Sequence, residues 1–84
     1  MGKLTREEIR ESIILVIEKA FNNKNEASYW LEKLPMVEDY DEEVHNYMSM
    51  LEHDIRHQNR ESFDFNVDEL VEHYFINQEQ YDFD

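Results

Sequence analysis

Apolar residues recur along this chain at intervals of three and four, the spacing of one helix face, in three separate stretches. In the first, Ile9, Ile13, Val16, Ile17, Ala20 and Phe21 form the stripe. Thr5 with Glu8 three residues on makes a capping box, and Leu4 ahead of it is placed to staple onto Ile9, so a helix is expected from about Arg6. Ile14 and Leu15 widen the stripe beyond one face. Exposed β-branched residues gain nothing in a helix, so this segment is expected to be central or to lie in a dimer interface built on Ile9, Ile13, Ile14, Leu15 and Ile17.

The cluster Asn22-Asn23-Lys24-Asn25 reads as a turn, with Asn25 as cap of a short second helix carrying Ala27, Trp30, Leu31 and Leu34, which Pro35 stops. A third helix is predicted from Asp39 or Asp41 to about His57, with Val37, Tyr40, Val44, Tyr47, Met48, Leu51 and Ile55 on its stripe. Residues 56–64 are polar and turn-like. Phe63, Phe65 and Val67 alternate, which suits a short strand over 62–67. A second capping signature competes with it: Asn66 as cap, Glu69 three residues on, and Phe65 placed to staple onto Leu70. Helix is preferred, its buried stripe being Val67, Leu70, Val71, Tyr74 and Phe75. Residues 77–84 form an acidic, aromatic tail that frays or docks on the domain.

These elements make a mostly α, three- to four-helix fold in one domain spanning 1–84. Eighty-four residues support one modest core, so dimerisation would help stabilise it. With 40% apolar residues and 13% aromatics, the composition is not that of a disordered acidic tail. With one Gly and one Pro, the chain lacks the punctuation of a β-rich protein. It has no cysteine, hence no disulfide or thiolate metal site, and its longest apolar run, 13–17, is far too short to cross a bilayer. Glu7, Glu8 and Glu11 interrupt the start in a way no secretory signal would, so the expected location is the cytoplasm and no membrane association is expected.

Charge changes the picture most. Residues 1–33 carry six bases against six acids, whereas 34–84 carry only Arg56 and Arg60 against fifteen acids, the whole of the formal net charge of −13. Like charges crowded on a small domain repel unless something offsets them, and a positively charged partner is the expected offset. The same charge disfavours nucleic-acid phosphates as a direct ligand. The candidate partner surface comprises Glu38, Asp39, Asp41, Glu42, Glu43, Glu52, Asp54, Glu61, Asp64, Asp68, Glu69, Glu72, Glu79, Asp82 and Asp84. Side chains three or four apart on a helix stand about 5–6 Å from one another between Cβ atoms, comparable to the phosphate spacing along a DNA strand. The bland alternative is a solvated face whose acids favour helix N-termini, as Asp39, Asp41, Asp68 and Glu69 would.

Other chemistry is weaker. His53 and His57 sit four apart without a third ligand at motif spacing. Asp64, Asn66 and Asp68 imitate the start of an EF-hand loop, but Glu69 stands where its glycine belongs and Phe75 where its glutamate does. No metal or other cofactor is expected. No phosphate-binding loop or activated nucleophile is spelled out, so the reading is of a non-enzymatic protein.

In size, charge imbalance over 34–84, aromatic content and lack of Cys, the chain resembles the small acidic DNA-mimic proteins of bacteriophages and mobile elements. The resemblance covers composition and charge pattern, with no family motif to carry individual residues across. It implies an inhibitor that occupies the basic DNA-binding surface of a host protein, such as a nucleoid protein, a restriction or CRISPR nuclease or a polymerase subunit, often as a dimer. The alternative is a regulatory adaptor that recognises a protein through the apolar surface around Ile14, Leu15, Trp30 and the aromatic tail, with the acids tuning solubility and encounter.

Overall fold

The computed structural model describes residues 3–37 and 41–83. Four α-helices follow one another: α1 (Arg6–Asn22), α2 (Ala27–Leu31), α3 (Glu42–Arg56) and α4 (Arg60–Ile76), with single 3-10 turns at Lys24–Glu26 and Gln78–Gln80. No strand occurs among the described residues. α1 starts at its capping box: the Glu8 amide donates to Thr5 Oγ1 at 3.1 Å and the Thr5 amide donates to the Glu8 carboxylate at 2.8 Å. The Asn25 cap does not form. The chain passes from α1 through the 3-10 turn, which has no side-chain cap, while the Asn23 side chain instead donates back to the Lys19 carbonyl at the end of α1.

α3 begins at Asp41, whose carboxylate accepts the Val44 amide. Its far end is a Schellman closure: the Gln58 amide donates to the Ile55 carbonyl and the Asn59 amide to the Asp54 carbonyl, with Gln58 at φ 53°. Asn59 then caps α4 by accepting the Ser62 amide. Three residues therefore turn the chain from α3 into α4, and the stretch 60–67 is helix. The short strand over 62–67 and the Asn66 cap are both corrected: helical pairing starts about two turns earlier, so Asn66 lies inside α4 and its side chain donates to Asp54 at 2.7 Å. Gln58 occupies left-handed backbone at a cost of about 1–2 kcal/mol for a residue with a Cβ. Its side-chain bond to the Ile55 carbonyl recovers part of that. Gln58→Gly is accordingly expected to stabilise the domain by about 0.5 kcal/mol after glycine's own entropy cost, raising the melting midpoint by about 2–4 °C in a thermal scan.

α1 and α3 both run antiparallel to α4. Arg6 meets Glu72 while Glu18 meets Arg60, and Glu43 lies beside His73 while Asp54 meets Asn66. α2 closes over α1 and α3. One core results, joining Ile9, Ile13, Ile17 and Ala20 of α1 to Ala27, Leu31 and Leu34, to Val44, Met48, Leu51 and Ile55 of α3, and to Phe63, Val67, Leu70, Val71 and Tyr74 of α4. The wide stripe on α1 is thus consumed inside one chain, because α1 packs against both α2 and α4. Ile9, Ile13 and Ile17 are completely buried there and Ile14 is half-buried, so the expected dimer interface is corrected: only Leu15 of that set stands in solvent.

The tail docks through residue 83. The Gln78 side-chain amide pairs with both backbone groups of Leu4, at 2.7 and 3.1 Å. Tyr81 and Phe83 pack edge-on against Tyr74, at 4.8 and 5.3 Å between ring centroids. The Tyr74 hydroxyl donates to the Pro35 carbonyl, tying the segment after α2 to the same place.

Candidate partner-binding surface

Of the fifteen acids singled out by sequence, Glu38, Asp39 and Asp84 lie outside the described residues, as does Tyr40 of the predicted α3 stripe. Two more do not belong to a surface. Asp41 and Asp54 are buried, at 7% and 5% exposure. Asp54 accepts from Asn66 and so joins α3 to α4. Asp41 is the α3 cap and also accepts the Tyr81 hydroxyl at 2.7 Å and the Val37 amide at 3.4 Å. Burial works to raise its pKa, but the hydrogen bonds from Tyr81, Val44 and Val37 and the nearby His73 outweigh it and hold the carboxyl below its ordinary value. Both residues are removed from the candidate surface, because a buried carboxylate with satisfied hydrogen bonds serves the fold.

The remaining acids fall in four places. Glu42 and Glu43 occupy the exposed first turn of α3, with Glu43 3.5 Å from His73 Nδ1. Glu79 and Asp82 are exposed on the docked tail. Glu61, Asp64, Asp68, Glu69 and Glu72 run along the outward side of α4, a helix about 25 Å long at 1.5 Å per residue. Glu52 is half-buried and accepts the Ser28 hydroxyl.

The α4 row is not bare. Arg6 holds Glu72 through two bonds at 2.6 and 2.9 Å, Arg10 pairs with Asp68, and Arg60 bridges Asp64 at 2.9 Å and Glu18 on α1. The Arg60 hydrogen bond, set against partial burial, keeps the Glu18 carboxyl below its usual range. Part of the offset that the charge split demanded is therefore internal: Arg6 and Arg10 of the neutral first third pair with acids of α4. Each such exposed pair adds only about 0–1 kcal/mol, and the net charge of the chain is unchanged. Glu42, Glu61, Glu69 and Glu79 have no ion-pair partner among the described residues.

The apolar side of the alternative reading also moves. Tyr81 and Phe83 are committed to Tyr74, and Trp30 is half-buried with its indole N–H enclosed and unbonded. The exposed apolar residues that sequence reasoning missed are Ile76 and Tyr29, which stand apart, and Phe65, at 63% exposure, with Met50, at 42%. Phe65 and Met50 line a groove of about 370 Å³ between α3 and α4, together with Tyr47, Asn46, Asn66, Glu43 and Glu69. Phe65 belonged to the competing strand and staple patterns. Its signal appears only once the helix is started at Asn59, which sets Phe65 on the outer face with Glu61, Asp68 and Glu69.

Among the described residues no helix is long and apolar enough to cross a membrane. No group of three or more His, Asp or Glu residues is arranged there to hold a metal ion. No family model matches the chain, and comparison with curated proteins and with solved structures finds no similar protein.

Proposed function

We propose that this protein is a non-enzymatic inhibitor that occupies the DNA-binding surface of a basic protein by presenting carboxylates in place of phosphates. The observation that carries this reading is the run of exposed acids on α4, continued by Glu42, Glu43, Glu79 and Asp82 at the end of the molecule where α3 starts and α4 stops. Fixed negative charge on a rigid helix draws on the same field that a basic groove uses to gain DNA affinity. The molecule is 40 Å long, the length of about 12 base pairs at 3.4 Å rise, so one copy suffices to cover a DNA-sized site and a homodimer is not required.

The second reading, an adaptor that binds through apolar surface, is favoured by the exposure of Phe65 and Met50. One experiment separates them. The immobilised protein captures partners from a lysate, and duplex DNA is then added to the column. Under the inhibitor reading, DNA-binding proteins are released by duplex and by salt, since screening shortens the interaction to a Debye length of about 10 Å at 0.1 M. The triple variant Glu42→Lys, Glu61→Lys, Glu79→Lys moves the net charge from −13 to −7, two units per substitution, without touching an ion pair or a buried acid. It is expected to keep its helical circular dichroism and to lose at least about tenfold in partner affinity. Capture that survives high salt, duplex and the triple variant would leave the acids as solvation and favour the adaptor.

A further inference from the structure

We propose that the groove between α3 and α4 is a docking site for a positively charged amphipathic helix, which inserts one apolar anchor between Phe65 and Met50. This rests on the basic-partner reading above and assigns the place where that partner is gripped. An aromatic side chain left 63% exposed beside a 42% exposed methionine is a local excess of apolar surface on a small domain whose other aromatics are mostly packed. At about 370 Å³ the groove lies at the small end of ligand sites, the size for one or two side chains. Its lining spans Glu43 to Met50, two turns of α3, and Phe65 to Glu69, one turn of the antiparallel α4, a groove between two helices of the kind an amphipathic helix can enter.

Charge selects the occupant. The charged residues lining the groove are Glu43 on α3 and Glu69 on α4, and no Lys or Arg lines it. Along α4, Phe65 is flanked one turn away on either side by Glu61 and Glu69. A ligand helix with an apolar residue at one position and Lys or Arg four residues before and after it would meet Phe65 and both glutamates together. A second copy of this chain is a poor occupant, because it would bring a further −13 to a face that is already acidic. Many DNA-binding proteins place a helix in the major groove, so a groove that takes a positively charged one would block DNA directly.

The test uses the full chain and three synthetic helical peptides as probes, read by isothermal titration and by amide chemical shifts. The first carries a leucine flanked by lysines at the fourth position on each side. The second has the same composition with leucine on the opposite face, and the third has glutamine for each lysine. The first peptide is expected to bind about tenfold tighter than the second, the loss typical of a misplaced anchor, with shifts centred on Tyr47, Met50, Phe65 and Glu69. Phe65→Ala, an exposed position, should abolish the difference between the first two peptides. Glu69→Gln should weaken the first by severalfold, and Glu11→Gln on the outer face of α1 should change nothing.

Equal binding of the first two peptides, or full binding to Phe65→Ala, with salt sensitivity retained, would overturn the groove and leave the basic-partner reading standing. Failure of every lysine peptide to bind at low salt would overturn both. Equal affinity for the first and third peptides would show a neutral apolar ligand and overturn the charge selection.

Discussion

Phe63→Ala is expected to be the most damaging single truncation on α4, costing about 3–5 kcal/mol. Phe63 is fully buried at the first turn of α4, where that helix crosses the end of α1. Its ring lies 4.8 Å from Phe21, and the Arg60 guanidinium covers both rings, at 5.3 and 4.8 Å, while bonding Glu18 and Asp64. Removing the ring leaves a cavity at a place where core packing, cation–π contact and an α1–α4 ion pair coincide. A domain of this size holds about 4–13 kcal/mol in total, so the variant is expected to melt roughly 15–30 °C lower and to lose much of its denaturant resistance. Phe63→Leu, which keeps most of the volume, should cost only about 1.5 kcal/mol. If thermal scans place Phe63→Ala within a few degrees of the parent, the core is not organised around the α1–α4 crossing.

The same residue shows what the sequence could and could not tell. α1 and α3 were legible because each announces its start: Thr5 with Glu8 forms the capping box, and Asp41 accepts the Val44 amide. Their stripes then follow from helical period alone. α4 was located but started too late. Its true cap, Asn59, is followed at the third position by Ser62, which cannot return a bond to the cap, whereas Asn66 with Glu69 offered the fuller signature seven residues on. The Schellman closure of α3 outweighs that signature, since Asn59 serves both helices at once and leaves no room for a polar loop over 60–64.

The candidate surface was legible only in amount. A linear charge count separates a neutral third from an acidic remainder, but Arg6 and Glu72 are 66 residues apart and Arg10 and Asp68 are 58 apart, and their pairing follows from the antiparallel packing of α1 on α4. Burial of Asp41 and Asp54 is likewise tertiary, because both sit among acids and polar residues in sequence. The apolar excess on α1 suggested a partner chain for the same reason: a stripe wider than one face serves two neighbours within one fold as well as it serves a second subunit.

Replacing Asp41 by alanine is expected to cost about 2–4 kcal/mol and to release the tail, because three donors lose one acceptor. The α3 cap contributes about 0.5–2 kcal/mol, and the Tyr81 hydroxyl and Val37 amide are left to find water. With its one proton on Asp41, the Tyr81 oxygen accepts from His73 Nε2–H at 2.8 Å, so the loss spreads to the end of α4. Tyr81→Phe removes one of the three donors and should cost only about 1 kcal/mol, leaving the cap in place. The pH dependence has a definite sign at each end. The Asp41 pKa is depressed from its ordinary 3.8, so its contribution is fully present above that value and is lost as pH falls through the lower folded-state value. Tyr74 and Tyr81 are shifted the other way: burial first, then Tyr81 and the Asp41 charge for Tyr74, and the hydrogen bond to Asp41 and then its charge for Tyr81, raise both above 10.0. Their contribution is present below pH 10 and is lost as pH rises beyond it, because the unfolded chain ionises first. Urea midpoints measured from about pH 3 to about pH 11 should therefore fall at both ends, with a flatter acid limb in Asp41→Asn and a flatter alkaline limb in Tyr81→Phe. Acid and alkaline limbs identical in parent and variants would show that the Asp41–Tyr81 contact does not hold the tail to α3 in solution.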